Sequence, residues 1–241
     1  VTCTMPHGSR VSPDGRLQYS GCMMDDQLVE IDTKTLKVSR RFSVAVGKEG
    51  PLAAEGDDML QMWIDGAKRV SNGATSDPAQ VGYLAMEGHK MQMEPQTCSP
   101  TWAQPSATGA HIYVACNKAD VILEIARDTW TVTRKFKTGR GPYNLGVSPD
   151  GKYLVASLKQ GNKVEIFDIA SGASVAQIPT TNILAHGVAM SSDSRYAFVT
   201  SEGQGAMPGR VDVFDLAARA KVGTADIGQQ ASGIAFWKVV R

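Results

Sequence analysis

A short turn phrase recurs along the chain at a nearly constant interval, and that interval restricts the possible folds more than any other feature. "SPDG" stands at Ser12–Gly15 and again at Ser148–Gly151, with "SSDS" at Ser191–Ser194 and the looser "SATG" at Ser106–Gly109. The starts at 106, 148 and 191 lie 42 and 43 residues apart. Between Ser12 and Ser106 are 94 residues, room for two repeats, and "WIDG" at Trp63–Gly66 is the candidate for the hidden one. A fixed period in this range marks a repeat architecture, whose units depend on their neighbours to bury their faces.

The rest of each repeat keeps step with the turn. Sixteen residues after Gly15, Gly109 and Gly151 come Ile31, Ile125 and Phe167, inside "LVEID", "ILEIA" and "VEIFD". The fourth copy, "VDVFD" ending at Asp215, arrives four residues late because "EGQGAMPG" lengthens a loop. The repeats then close on "KVSRRFSV", "WTVTRKFKT", "SVAQIPT" and "KVGTADI". Short, alternating, β-branched runs bounded by Gly, Asp, Asn and Pro are strands, and no segment carries an apolar stripe at helical spacing. Four short strands per unit of about 42 residues describe a blade of a β-propeller. The expected fold is therefore an all-β propeller, one domain over 1–241. Its repeats run over about 1–45, 96–138, 139–180 and 181–224, with 46–95 irregular and 225–241 partial.

The best copy, "GPYNLGVSPDGKYLVASLKQGNKVEIFDIASGASVAQIPT" at 141–180, resembles the YVTN-type repeat of YncE-like propeller proteins. The resemblance covers about residues 1–45 and 96–223, and its motifs speak for fold rather than for function. Five repeats are counted, and "ASGIAFWKV" at 231–239 begins a further inner strand. The favoured expectation is a chain holding part of the ring of a seven-bladed parent; a complete small propeller with irregular closure is the other.

The 241 residues carry 25 basic and 24 acidic side chains with no long run of either sign. That balance argues against nucleic acid held by a basic surface. No stretch reaches the roughly 18 apolar residues that span a bilayer, so no membrane span is expected.

Cys22 lies seven residues after Gly15, and Cys116 seven after Gly109; Cys3 and Cys98 each precede the inner strand of the same repeats. Hairpins centred between Pro13 and Asp14, and between Ala107 and Thr108, put position 22 opposite 5 and position 116 opposite 99. Antiparallel geometry then selects Cys3–Cys22 and Cys98–Cys116 from three possible connectivities. Disulfides imply an oxidising compartment, hence a periplasmic or extracellular protein. Four buried free thiols in a cytosolic protein are the competing reading. Thiolate ligation of copper or zinc has less support, because no Cys-x-x-Cys or Cys-x-x-His pair occurs.

Chemistry-bearing motifs are scarce. There is no Gly-x-Ser-x-Gly elbow, Walker loop, His-Glu-x-x-His, Cys-x-x-Cys-His or glycosylation sequon, and "GRGPYN" at Gly139–Asn144 is a linker between blades. The paired carboxylates Asp25–Asp26 and Asp57–Asp58 read as solvated turn residues.

What remains is a column of residues five before the turn's first position: His7, Asp58, Thr101, Tyr143 and His186. This is where the chain enters the inner strand, and side chains there reach the mouth of the central channel, the usual ligand site of the fold. His7, Asp58, Tyr143 and His186 are the candidate ligand-binding set. "MPHGSRV" and "LAHGVAM" repeat a His-Gly pair four repeats apart, which sets His7 and His186 roughly across a wide channel. Imidazole is the commonest transition-metal ligand, so the two histidines are candidate metal ligands. "GHKMQM" at Gly88–Met93 adds His89, Met91 and Met93, a set suited to Cu(I). The plainer account is that the methionines fill a core, that Gly8 and Gly187 serve the bend into the strand, and that His111 is structural.

Two functions follow as expectations. One is an exported binding or interaction module that takes a protein or small molecule at its channel mouth, with no certain cofactor. The other is a copper-dependent oxidoreductase using the channel histidines. A lactonase-like hydrolase would need clustered acidic and amide ligands for Ca²⁺, which the channel column does not supply.

Overall fold

The computed structural model describes residues 3–53 and 95–237. The chain divides into two units, Val1–Leu52 with Gln96–Arg241, and Ala53–Pro95. The candidate hidden repeat at Trp63–Gly66, Asp57, and the site candidates Asp58, His89, Met91 and Met93 lie outside the described residues.

The described part of the first unit is all β, without helix. Sheet I is β1 (Pro6–Val11), β2 (Leu17–Cys22), β3 (Gln27–Asp32) and β4 (Lys37–Ser43), with the short β5 (Gly50–Leu52) on its outer edge. Sheet II is β6 (Pro100–Pro105), β7 (His111–Cys116), β8 (Val121–Ala126) and β9 (Thr131–Lys137). Sheet III is β10 (Pro142–Val147), β11 (Tyr153–Leu158), β12 (Lys163–Asp168) and β13 (Ser174–Pro179). Sheet IV is β14 (Ala185–Met190), β15 (Tyr196–Ser201), β16 (Pro208–Asp215) and β17 (Ala220–Gln229). Each is an antiparallel meander, and β1 touches β6 through a parallel bridge at Gly8 and Trp102. The architecture is propeller-like.

The repeating turn has one structure. Ser12 Oγ donates to Asp14 (2.5 Å) and accepts from Leu17 N (3.0 Å), and Gly15 takes the left-handed conformation at φ 72°. Ser148, Asp150 and Gly151 repeat it, as do Ser191, Asp193 and Ser194, the last at φ 62° without being glycine. The backbone repeats even where the sequence does not. Met5, Ser99, Gly141, Leu184 and Gln230 are all left-handed, each just before an inner strand or, at Gln230, before "ASGIAF". A non-glycine residue held there costs about 1 kcal/mol, so the surrounding packing must over-determine it.

The core lies between sheets. Tyr19, Leu28 and Phe42 of sheet I pack with Ile112, Val114, Leu123 and Trp130 of sheet II. Tyr113, Ala115 and Phe136 face the other way, onto Leu154, Ala156 and Phe167. Val155 and Ile166 in turn meet Val188, Val199 and Phe214. Alternate residues of one strand thus serve two interfaces, which explains why "HIYVAC" and "YLVASL" are nearly continuous apolar runs.

Sheets I and II are direct neighbours. Trp130 Nε1 donates to Arg41 O (2.9 Å), and its ring meets Phe42 edge-on at 5.7 Å. Asp26 in the β2–β3 turn is 6% exposed and accepts from Thr97 N, Thr97 Oγ1, Cys98 N and Ser99 N at 2.5 to 3.1 Å. Asp25 accepts from Thr4 N. The expectation of two solvated turn carboxylates is corrected: Asp26 is a clasp joining one sheet to the strand that opens the next. Asp120 repeats it on Gly141 N (2.7 Å), and Asn162 on Leu184 N (2.8 Å). Val46 N donates to Thr97 Oγ1 (2.8 Å), so the chain leaves and rejoins this unit at one place. Sheets I and II are thus packed together although 94 residues separate the starts of their turns.

Both disulfides form as the repeat register requires. Cys3–Cys22 has a Cα separation of 5.9 Å and Cys98–Cys116 one of 4.4 Å. The register differs in detail. Cys22 stands opposite Pro6 and Cys116 opposite Pro100, because the hairpins turn one residue later than expected and a bulge interrupts each inner strand. The left-handed Met5 and Ser99 then bring the preceding cysteines back over the end of the second strand.

Candidate functional site at the leading end of the inner strands

The second residue of each inner strand is His7, Thr101, Tyr143 or His186, and the fold brings these four side by side. His7 Nδ1 lies 2.7 Å from Thr101 O, and Tyr143 Oη lies 3.0 Å from His7 Nε2. A carbonyl only accepts, so Nδ1 carries the proton; in neutral His7 the Nε2 lone pair then accepts from the Tyr143 hydroxyl. The Tyr143 ring meets His7 edge-on at 5.3 Å and His186 in a tilted contact at 4.6 Å. Thr101 turns away, fully buried, and donates through Oγ1 to Tyr143 O (2.8 Å).

The expectation that His7 and His186 face each other over a wide channel, four repeats apart, is corrected. They stand three sheets apart, and a single phenol touches both. With sheets I and II adjacent, the arc between the histidines is short enough for Tyr143 to fill it.

Two further groups complete the cluster. Lys159 Nζ lies 4.4 Å over the Tyr143 ring and pairs with Glu202 Oε1 at 2.7 Å. His186 Nε2 is 3.5 Å from the same oxygen. Neither residue was singled out from the sequence. Lys159 and Glu202 both lie eight residues after the turn's last position, just past the second strand, so the same register read at the other end of the hairpin finds them.

Burial, seconded by the Lys159 ammonium, holds the pKa of His186 below its usual value, against the opposing pull of Glu202 and the nearby backbone of Ser232. The folded state thus resists protonation that the unfolded chain accepts near pH 6.5. Stability from this residue is complete above that pH and is lost as pH falls from 6.5 through the folded pKa. Urea midpoints measured down this range should fall, and His186→Gln should flatten the slope. An unchanged slope would show that the ring is not held neutral.

The two glycines of the His-Gly phrase have their own cause. A Cβ on Gly8 would stand 1.7 Å from Trp102 Cε3, and one on Gly187 would stand 2.5 Å from Ser232 O. Close approach demands Gly8 and Gly187, while the imidazoles beside them make the contacts above. Among the described residues no group of three or more His, Cys, Asp or Glu is placed to hold a metal ion. His7 has protein partners at both ring nitrogens, and the Tyr143 ring lies against both imidazoles.

The fold defines an all-β, propeller-like protein with a polar cluster where its inner strands begin. The chain is similar in structure to Kuenenia stuttgartiensis hydrazine synthase, at a TM-score of 0.67 and 18% identity, over 95% of this chain and 51% of that one. The likeness is one of fold, and this chain spans about half the length of that protein. No protein-family model matches the sequence, and no curated protein does. No helix among the described residues is long and apolar enough to cross a membrane.

Proposed function

We propose that the chain is part of a YVTN/YncE-like, seven-bladed propeller that acts outside the cytoplasm as a binding module, taking a small polar molecule or a protein group at His7, Tyr143 and His186. The observation that carries this reading is Tyr143, whose ring and hydroxyl join two imidazoles contributed by sheets I and IV. Together with the Lys159–Glu202 pair, the cluster offers a phenol, two imidazoles and an ion pair within one patch. Such groups give orientation and specificity to a ligand rather than a nucleophile or a metal centre. Two disulfides support an oxidising compartment.

The test replaces His7 and His186 together by Gln. Ligand-observed NMR against a panel of polar small molecules should give hits that the double variant loses while its circular dichroism is unchanged. Copper should be substoichiometric in both proteins. One equivalent of copper per chain that disappears in the variant would overturn the binding-module reading in favour of the copper-dependent oxidoreductase. Hits retained in a folded variant would make the histidines bystanders.

A further inference from the structure

About 10 Å further along the same inner strands, three residues past His7, lies a cavity of about 400 Å³. Its walls come from all four sheets and from the segment after β17. Val147, Val188, Met190 and Phe236 give it an apolar lining, while Arg10 and Gln104 are its polar side chains. Arg10 and Gln104 occupy equivalent places, each five residues before the turn glycine.

The Arg10 guanidinium lies over the Trp102 ring, 4.5 Å from its centroid. It donates to Ser9 O (3.2 Å), and among the described residues no carboxylate pairs with it. Burial holds its proton affinity below the usual arginine value. A guanidinium carries five N–H donors, so most of its hydrogen-bonding capacity is unused among the described residues. A half-buried cation without a counter-ion is costly unless something anionic joins it. The planar fork, braced by an aromatic ring, matches a carboxylate in two parallel hydrogen bonds. The cavity volume falls in the range of small-molecule sites, roughly 300 to 1,000 Å³.

We infer that this cavity binds a small carboxylate with an apolar body, the anionic head on Arg10 and the hydrocarbon against Val147, Val188, Met190 and Phe236. The site is separate from the His7–Tyr143–His186 cluster and does not depend on the reading given to it. Its chemistry asks for one negative charge at one end and several carbons at the other. Acetate alone leaves the apolar wall uncovered, and a neutral amide leaves the guanidinium unpaired.

Titration calorimetry of the chain with octanoate and with octanamide tests this. Octanoate should bind saturably, at least about tenfold more tightly than octanamide, the scale expected for one charge-assisted pair. Arg10→Gln should remove that preference. Arg10→Lys keeps a cation over Trp102 but loses the fork, and should retain part of the preference; it decides the matter if Arg10→Gln does not fold. Equal affinities for octanoate and octanamide, no saturable octanoate binding at millimolar concentration, or an undiminished preference in a folded Arg10 variant would each overturn the assignment.

Discussion

Asp26→Ala is expected to destabilise the fold by about 4 kcal/mol, the largest single-residue effect outside the apolar core. The carboxylate satisfies three backbone N–H groups and one hydroxyl at the junction of sheets I and II. Alanine leaves those donors under cover without an acceptor, and each such group costs about 1–3 kcal/mol before water or relaxation recovers part of it. Asp26 is also left-handed, at φ 49°, a conformation that Asn tolerates and Ala does not favour. Asp26→Asn, which keeps one acceptor and the turn, should therefore recover roughly half. Urea unfolding of the three proteins measures this. A loss of under about 1 kcal/mol in the alanine variant would mean that the clasp does not hold the sheets together.

The second large effect is expected from Cys98→Ser with Cys116→Ser. The bond closes a loop of 18 residues, for which the chain-entropy model gives about 3 kcal/mol. In a domain of this size that corresponds to a fall in Tm of roughly 6–12 °C. Both sulfurs are fully buried between sheets I and II, so serine also puts hydroxyls into an apolar setting. Calorimetry of the variant beside the parent reads the change, and a Tm within about 2 °C of the parent would show that the bond spans an already rigid hairpin.

Much of this architecture was legible because it repeats. Once "SPDG" set the register, the strands, both disulfides and the column of His7, Tyr143 and His186 followed by counting, since equal offsets in a ring of sheets mean equal depth. Counting failed where the chain bulges. The hairpin pairing was displaced because each hairpin turns one residue later than its turn phrase suggests, and a bulge in the inner strand, which apolar alternation does not announce, then takes back part of the shift. The left-handed residues before the inner strands gave no signal at Met5, Leu184 and Gln230, where packing, not glycine, fixes the backbone. Asp26 was misjudged because adjacent acidic residues in a turn look solvated until a neighbouring sheet is placed over them. Arg10 escaped notice since nothing in a local window shows that a lone arginine faces a shared cavity.

Both cross-links lie in the first two sheets, while the equivalent ends of β11 and β15 carry Leu158 and Ser201. Sheet IV, the last of the described sheets, finishes in β17, most of whose residues are exposed. Each sheet is covered only by its neighbours, so one seam can part while the others stay closed. The molecule therefore has a stiff flank and a yielding one, and the cavity beside Arg10 is walled by both: Arg10 and Gln104 from the stapled side, Val188, Met190 and Phe236 from the loose side.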